Sequence, residues 1–369
     1  MLILVANLGS TSFKYKLLDM EHDGEVVAKG AYERIGQEGS QFKNHGDVID
    51  VILKELPGKP AAIGFKAVHG GPISGAVRVN ESVLKTMEEF ADVAPAHNPP
   101  YCAAMRAFMA KLPNTPQVAA FETAFHQTIP AARQVYAIPY EWTEKLGIRR
   151  YGFHGASHRY IAMRTPELVP DAKRIISCHL GGSCSICAIE NGKSVANSFG
   201  MTAQSGVPHN NRVGDFDTFA LQKLLKQGMS MEEIFKKLGK EGGMLGMSGI
   251  SPDMRDIERA ASGGDTRAKL AVDAFVESVR HYIGAYLVVL GGCDCLVFTG
   301  GIGENGIAIR EAICRNLEFA GIRLDPQKNQ VRGKEQKISK VESGAEIWIV
   351  PTNEELVVAM QTEAVLTAN

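Results

Sequence analysis

The sequence has little of what marks secreted, membrane-spanning or nucleic-acid-binding proteins. Its 369 residues include 40 basic and 41 acidic side chains, a formal net charge of −1, so no charge excess attracts nucleic acid or an anionic membrane surface. No segment is long and apolar enough to span a bilayer, and the start, MLILVANLG, lacks the basic region and long apolar run of a signal peptide. We therefore expect a cytoplasmic protein without nucleic-acid or membrane partners.

Cysteine is too sparse and too scattered for a metal site or a disulfide framework. There are seven cysteines, an odd number. Cys184 and Cys187 have CxxC spacing, but no second pair has the spacing of a zinc site. We expect buried free thiols in a reducing compartment. The hydrophobic content of 45% predicts a packed globular protein, and the length allows two domains, each with its own core.

The N-terminal stretch predicts a strand, a tight turn and a second strand. LILVA is apolar, NLGSTS is small and polar, and Phe13, Tyr15 and Leu17 then alternate with lysines, as in a half-buried strand. A turn rich in backbone N–H groups and hydroxyls can surround an anion, although an isolated hairpin of this kind is more often only structural. The candidate phosphate or metal contacts here are Asn7, Ser10, Ser12 and Lys14.

The same plan recurs later in the chain. Residues 174–198 give an apolar run, the turn LGGSCS and a second apolar strand, and a third glycine loop, GGIGENG at 300–306, follows an apolar strand and precedes a helix. Duplicated strand–turn–strand units with a late glycine loop predict an α/β protein of two similar domains facing one phosphate-bearing ligand. The candidate nucleotide contacts are Gly181, Gly182, Gly301, Gly303 and Asn305.

Charged residues and histidines occur at positions that suggest chemistry. Lys66 lies inside an apolar strand, so it is on a sheet edge or faces a cleft, and we favour the cleft. Glu122 and Glu354 follow apolar strands, where open α/β sheets place functional groups. His154 stands between glycines, and Arg212 lies in a long loop at 198–218. A satisfied structural histidine and a solvated surface arginine are the alternatives.

These residue types suit phosphoryl transfer, which needs cationic and N–H groups around the moving phosphate, with Mg²⁺ and carboxylates to hold it. Lys66, His154, His179 and Arg212 would face the transferring group. Each signal is weak alone, and the chain has neither the GxGxxG of a dinucleotide fold nor the GK[ST] of a P-loop.

Elsewhere, the sequence pattern predicts a short strand and a helix within 133–150, a helix over 216–240 and a core helix over 268–290.

A set of motifs, taken together, resembles the acetate kinase family of the acetate and sugar kinase, heat-shock and actin superfamily. The motifs run in matching order from about residue 1 to 360: LVANLGSTSFKYKLLD, VHGG, APAHNPP, ETAFHQTIP, RRYGFHGASHRY, CHLGG, GKSV, FTGGIGENG, IR and PTNEE. The resemblance implies two duplicated actin-like (ribonuclease H-like) domains with mixed sheets and a cleft between them. Residues 1–125 with 356–369 would form the N-terminal domain, and residues 126–355 the nucleotide-binding domain.

The resemblance also implies an activity, reversible transfer of the ATP γ-phosphate to a short-chain carboxylate, giving acyl phosphate and ADP, with Mg²⁺ and as a homodimer. Asn7 and Glu354 would lie beside the metal, and Arg212 would bind the carboxylate and the phosphoryl group. His97 and His154 match active-site histidines, and His179 would approach the phosphates. The adenosine pocket would comprise Asp253, Met254, Arg255, Gly301, Ile302 and Asn305.

Several positions depart from the family pattern. Lys66 stands where arginine is usual and Glu122 where aspartate is usual, and since an ammonium is only a point charge, we expect the two changes to be coupled. The pattern CHLGNGSS is CHLGGSCS here, so Gly182 replaces an asparagine and Ser183 a glycine. The loop before Arg212, TAQSGVPHNN, replaces a pattern like TPLEGLAMGT.

The acyl pocket is expected to be enlarged. Ala96 and Ala203 stand where the family often has leucine and proline, while Val68 and Phe153 remain as an apolar wall. Each methylene that a ligand fills is worth roughly 1 kcal/mol, so the sequence predicts a carboxylate larger than acetate. Two alternatives stay open at this point: a catalytically weak nucleotide-binding relative with a regulatory role, and a kinase with another phosphoryl donor or acceptor.

Overall fold

The computed structural model describes residues 1–95 and 97–368. Ala96, an expected wall of the acyl pocket, lies outside the described residues. The elements form two six-stranded mixed sheets with helices packed on both. Among the described residues, no helix has the length and apolarity needed to cross a membrane.

The first sheet has the order β3-β2-β1-β4-β6-β5. The β1–β2 hairpin pairs Leu2 with Asp19 through Gly9 with Ser12, as the alternating sequence predicts. Strands β4 and β6 add in parallel to β1, and β5 pairs antiparallel with β6. The strands are β1 (Leu2–Gly9), β2 (Ser12–Asp19), β3 (Glu25–Tyr32), β4 (Ala62–Ala67), β5 (Ala76–Arg78) and β6 (Gln117–Phe121).

The second sheet repeats this topology, with the order β9-β8-β7-β10-β12-β11. Two antiparallel hairpin pairings are again followed by two parallel strands and an antiparallel edge strand. The predicted duplication is therefore confirmed strand by strand. The strands are β7 (Arg174–Leu180), β8 (Cys184–Glu190), β9 (Lys193–Asn197), β10 (Cys295–Thr299), β11 (Gln336–Lys337) and β12 (Glu346–Ile349).

Helices cover both sheets, and several begin at a polar cap that the sequence provides. Asn44 and Ser230 each accept a hydrogen bond from the N–H three residues on, in capping boxes that begin α1 and α8. The helices are α1 (His45–Glu55), α2 (Glu81–Glu89), α3 (Asn98–Lys111), α4 (Ala131–Gln134), α5 (Tyr140–Leu146), α6 (Gly155–Leu168), α7 (Ala220–Lys226), α8 (Met231–Lys240), α9 (Gly243–Ser248), α10 (Met254–Ser262), α11 (Thr266–Leu290), α12 (Gly300–Asn305), α13 (Ile307–Cys314) and α14 (Glu354–Thr367).

Each sheet has its own large apolar core. One joins β1, β2 and β4 to α1, α2 and α3, and the other joins β7, β8 and β10 to the long helix α11. The last helix, α14, packs its residues Val357, Val358 and Ala359 on Ile3 and Val5 of the first sheet. All seven cysteines are free and buried, as expected.

Two local predictions differ from the structure. Within 133–150 there is no strand among the described residues: α4 ends at Gln134, the chain bends at 137–138, and Pro139, which has no N–H to donate to a sheet, precedes α5. The helix predicted over 216–240 is two helices, α7 and α8, because Gly228 between them takes a left-handed conformation with φ of 87°.

Candidate active site

Lys66 faces a cleft rather than a sheet edge, because β4 lies between β1 and β6. The cleft has a volume of about 740 Å³. It brings together most of the residues that the sequence places at the reacting end of the site. They are Asn7, Ser12, Lys14, Lys66, Val68, His97, Glu122, Phe153, His154, Ala203 and Arg212.

Lys66 joins two carboxylates from the two sheets. Its ammonium forms an ion pair and hydrogen bond with Glu354, and it lies 3.6 Å from Oε1 of Glu122. All three side chains are largely buried, at 17% exposure for Lys66, 6% for Glu122 and 13% for Glu354. Burial alone would lower the pKa of Lys66, but the two carboxylates outweigh it and raise that pKa, so the ammonium stays charged.

The two carboxylates shift in opposite directions. Burial raises the pKa of Glu122 to about 7, against the attraction of Lys66. Burial also acts on Glu354, but Lys66 and His179 outweigh it and lower the pKa of that carboxyl. The carboxylate of Glu354 is therefore ionised at neutral pH, whereas Glu122 titrates near neutrality.

The same residues fit a magnesium ion. Both carboxylate oxygens of Glu122 are buried without a hydrogen-bond partner, and the amide oxygen of Asn7 has only a 3.5 Å contact from the Tyr101 hydroxyl. Carboxylate and amide oxygens are ligands that Mg²⁺ prefers. In residues 1–95 and 97–368, no three His, Cys, Asp or Glu side chains are grouped to hold a metal. Two carboxylates and one amide leave coordination positions of Mg²⁺ open to water or substrate phosphates.

His154 is held in an uncommon backbone conformation. It precedes α6 with φ of 55° and ψ of 34°, a left-handed backbone conformation that residues other than glycine seldom adopt. A Cβ on the next residue, Gly155, would lie 2.1 Å from the carbonyl oxygen of Glu122, so only glycine lets this loop dock there. The Gly155 N–H donates to that oxygen at 2.9 Å. The strand end that carries Glu122 thus anchors His154.

Serine hydroxyls and histidine rings contact the His154 ring, and most of these residues are not predicted from the sequence. Nδ1 of His154 and Nε2 of His158 each lie 2.8 Å from the Ser185 hydroxyl, and Nδ1 of His158 lies 2.9 Å from the Ser177 hydroxyl. The His154 ring stacks on His179 with centroids 4.1 Å apart. The i, i+4 spacing of His154, which precedes α6, and His158 in its first turn is the sequence signal for this pair.

Two histidines that line the cleft, His97 and His154, and His179 behind it have lowered pKa values and are neutral at neutral pH. Burial, followed by the repulsion of neighbouring histidines and of Lys66 and Arg212, holds the pKa of His154 well below its usual value. Burial and then Arg212 lower the pKa of His97 to about 4. Burial lowers the pKa of His179 to about 4, and its Nδ1 lies 4.0 Å from Oε1 of Glu354.

The positive charge of the cleft comes from lysine and arginine. One N–H of the Arg212 guanidinium donates to the carbonyl oxygen of Ala203 at 2.6 Å, which fixes the side chain over the cleft. Lys236 and Lys240 of α8 also line the cleft, although neither was predicted from the sequence. Such a cluster attracts anionic substrates.

A second cavity, of about 680 Å³, lies beside the cleft and contains the predicted adenosine residues. Asp253 caps α10 by accepting from the N–H of Arg255 at 2.9 Å. The predicted residues that line this cavity are Gly181, Gly182, Asp253, Met254, Arg255, Gly301, Ile302 and Asn305. The unpredicted ones are Asn210, Pro252, Glu258, Gly306 and Arg332.

Four predicted residues line neither cavity. Ser10 is exposed at the β1–β2 turn. Gly303 is buried inside α12, where a Cβ would lie 3.4 Å from the backbone carbon of Phe298, so it packs against β10. Glu354 and His179 act on the cleft through its lining residues, because Glu354 pairs with Lys66 and His179 stacks on His154.

The two cavities meet along two short segments. Gly182 lines the second cavity and Ser183 lines the cleft, and likewise Asn210 lines the second cavity while Asn211 lines the cleft. Both cavities therefore share one wall, formed by residues 181–183 and 210–212.

A family model described as the acetokinase family matches residues 47–360, which is most of the chain. The chain belongs to the acetokinase family. It is therefore a kinase that uses ATP with a carboxylate acceptor, and its two sheets form the actin-like fold.

Full-length relatives support this membership. The chain is 45% identical to the acetate kinase of Carboxydothermus hydrogenoformans over 396 residues, covering 98% of each chain. The crystal structure of Porphyromonas gingivalis acetate kinase matches with a TM-score of 0.91 and 39% identity over 99% of this chain and 100% of that one. A propionate kinase from Francisella tularensis matches with a TM-score of 0.91 and 35% identity over 99% of each chain.

Proposed function

We propose that this kinase binds Mg²⁺-ATP with its adenosine in the second cavity and its phosphate chain across the shared wall, and phosphorylates a carboxylate held in the cleft. The observation that carries this proposal is that the two cavities adjoin along residues 181–183 and 210–212. An ATP molecule anchored beside Asp253 would therefore extend toward Arg212. The reverse transfer, from acyl phosphate to ADP, uses the same contacts.

The residues of the cleft supply what a phosphoryl transfer needs. Arg212 has further guanidinium N–H groups besides the one held by Ala203, and these bind the carboxylate and the equatorial oxygens of the moving phosphoryl group. Neutral His154 donates a hydrogen bond to the same oxygens, and its fixed backbone holds it ready. Lys66 offsets the repulsion between the negative charges of ATP and the carboxylate when both are bound.

The metal contacts proposed for Mg²⁺ are Asn7, Glu122 and Glu354, by direct or water-mediated contact. The ion, when bound, neutralises charge on the phosphates. Glu122 and Glu354 are fixed from opposite sheets, and Lys66 holds them in the absence of substrate. Lys14 and Ser12, on the β1–β2 hairpin, face the same cleft and add a cation and a hydroxyl for the phosphate chain.

The acceptor that we propose is a short carboxylate larger than acetate. Ala203 lines the cleft where its family often has proline, and Val68 and Phe153 form the opposite apolar surface. Small side chains leave space for extra methylenes, and one methylene in such a pocket changes specificity by roughly tenfold or more. The relative selectivity for propionate, butyrate and branched acids over acetate is the quantity to measure.

The decisive experiment is to trap acyl phosphate as hydroxamate from Mg²⁺-ATP and carboxylates from formate to hexanoate, including branched and hydroxy acids. We expect product with a kcat/KM that is higher for an acid larger than acetate, and at least a hundredfold loss of product in Arg212→Ala. Arg323→Ala, at an exposed position, is the matched control. A kcat/KM highest for acetate would refute the larger pocket, and no product with any acid would refute the kinase assignment in favour of a nucleotide-binding relative.

We also propose the domain boundaries, the homodimer and the cytoplasmic location. The packing of α14 on the first sheet supports assigning residues 356–369 to the N-terminal domain with residues 1–125, leaving 126–355 as the nucleotide domain.

Val288 and Phe319 are each 83% exposed, and a second copy of the chain would cover these apolar side chains in a homodimer. Free, buried cysteines suit a reducing cytoplasm. Sedimentation velocity tests the dimer.

A further inference from the structure

Gly182 lacks a side chain, and another residue occupies the space above it. A Cβ on Gly182 would lie 3.4 Å from Nδ2 and 3.7 Å from Cγ of Asn210. The carboxamide of Asn210 therefore lies in van der Waals contact with the position that a Cβ at residue 182 would take, and a longer side chain at 182 would meet it. Both residues line the cavity assigned to the nucleotide.

The orientation of the Asn210 carboxamide follows from its hydrogen bonds. Its Oδ1 accepts from the N–H of Asn211 at 3.0 Å, so Nδ2 is the atom directed at Gly182 and the cavity. The backbone is fixed as well, because the N–H of Asn210 donates to the Gly182 carbonyl at 3.0 Å and its carbonyl accepts from Leu245 at 2.8 Å. Within the described part of the chain, Nδ2 donates to no protein acceptor.

We propose that Asn210 donates a hydrogen bond to the phosphate chain of the nucleotide, in place of the side-chain amide that Gly182 cannot supply. This rests on the proposed binding of ATP across the shared wall. A preorganised N–H donor without a protein partner, at the rim of an anion-binding cavity, is suited to a phosphate oxygen.

The sequence pattern is consistent with a carboxamide side chain that has moved from one loop to another. Where the family pattern reads CHLGNGSS this chain has Gly182, and where the loop pattern reads TPLEGLAMGT this chain has Asn210 in place of the glycine. The carboxamide thus belongs to the 210–212 segment here rather than to the 181–183 loop, while its end lies in the same space. Mutants of the two positions distinguish a phosphate-binding carboxamide from one that only fills space.

The test is calorimetric binding of Mg²⁺-ATP, Mg²⁺-ADP and adenosine to Asn210→Gly, Gly182→Asn and the double variant. We expect Asn210→Gly to weaken ATP and ADP binding about tenfold, as removal of a charge-assisted hydrogen bond does, and to leave adenosine binding within twofold. The double variant Gly182→Asn with Asn210→Gly restores most of the ATP affinity. Gly182→Asn alone crowds Asn210 and does not improve binding. Asn114→Gly, at an exposed site, is the matched control.

The outcomes separate this inference from the proposed function. Equal weakening of adenosine, ADP and ATP by Asn210→Gly would reduce Asn210 to a structural residue and overturn the inference, as would unchanged ATP affinity or a double variant as weak as the single one. Wild-type protein that fails to bind ATP would instead overturn the proposed function. Thermal unfolding of each variant confirms that the protein is folded.

Discussion

Glu122 and Glu354 follow corresponding strands of the two sheets and behave differently. Glu122 follows β6 and Glu354 follows β12, the fifth strands of two sheets with the same strand order. Both approach Lys66. The pKa of Glu122 is nevertheless raised to about 7, while that of Glu354 is lowered.

The difference lies in the partners of each carboxylate. Glu354 has the hydrogen bond from Lys66 and the nearby His179, and Lys16 adds a further attraction. Glu122 is buried among groups that give its oxygens no hydrogen bond, and its ion pair with Lys66 is 3.6 Å long. Two carboxylates that follow corresponding strands of a duplicated fold thus differ in charge, because their local contacts set their pKa values.

The largest effect is expected from Lys66→Met, which removes the cation that both carboxylates share. Breaking a buried ion pair by removing one partner costs about 3–5 kcal/mol, so thermal unfolding should reveal a strongly destabilised protein. Acyl-phosphate formation should fall at least a hundredfold. Lys29→Met, at an exposed position on β3, should leave both readouts unchanged. An unfolding temperature equal to that of the wild type would show that the pairing contributes nothing.

A smaller effect is expected from the pH dependence of the metal-free, nucleotide-free protein. The raised pKa of Glu122 means that the folded state keeps a proton that the unfolded state loses at its ordinary pKa of 4.5. The unfolding free energy should therefore fall as the pH rises from about 4.5 to about 7, by about 1–3 kcal/mol. Glu122→Gln should remove this fall, and exposed Glu144→Gln should keep it. A parallel pH profile in Glu122→Gln and the wild type would contradict the shift.

The smallest effect is expected from restoring the family residues, Lys66→Arg and Glu122→Asp. If the longer acid compensates for the point charge of lysine, each single change misplaces its partner and the double variant recovers. We expect a coupling of about 1 kcal/mol in kcat/KM. Simple additivity of the two single variants would show that the exchanges arose independently.

The sequence predicted much of the fold because its signals were local. The alternation after Gly9, the repeat of that plan at 174–198 and the apolar spacing of α11 each correspond to an element of the structure. Most of the predicted residues also line two adjacent cavities, since the ends of neighbouring parallel strands meet at one edge of a sheet.

The rest depends on contacts between distant segments, which spacing alone does not reveal. Gly182 was recognised as an unusual position, but the residue that fills its space, Asn210, lies in another loop. Ser185 and His158 are neighbours only because β8 and α6 pack together. The apolar run at 135–138 has the composition of a strand, but strand propensity alone does not decide whether a segment joins a sheet.

The backbone of His154 has a cost for the whole protein. A left-handed residue with a side chain costs roughly 1–2 kcal/mol relative to an ordinary conformation, and only the surrounding loop, fixed between Gly152 and the docked Gly155, keeps it there. If His154 has the role proposed above, folding robustness and turnover are opposed at this position. A glycine at position 154 would relax the chain and remove the proposed imidazole donor, so selection for heat resistance alone would erode the proposed active site.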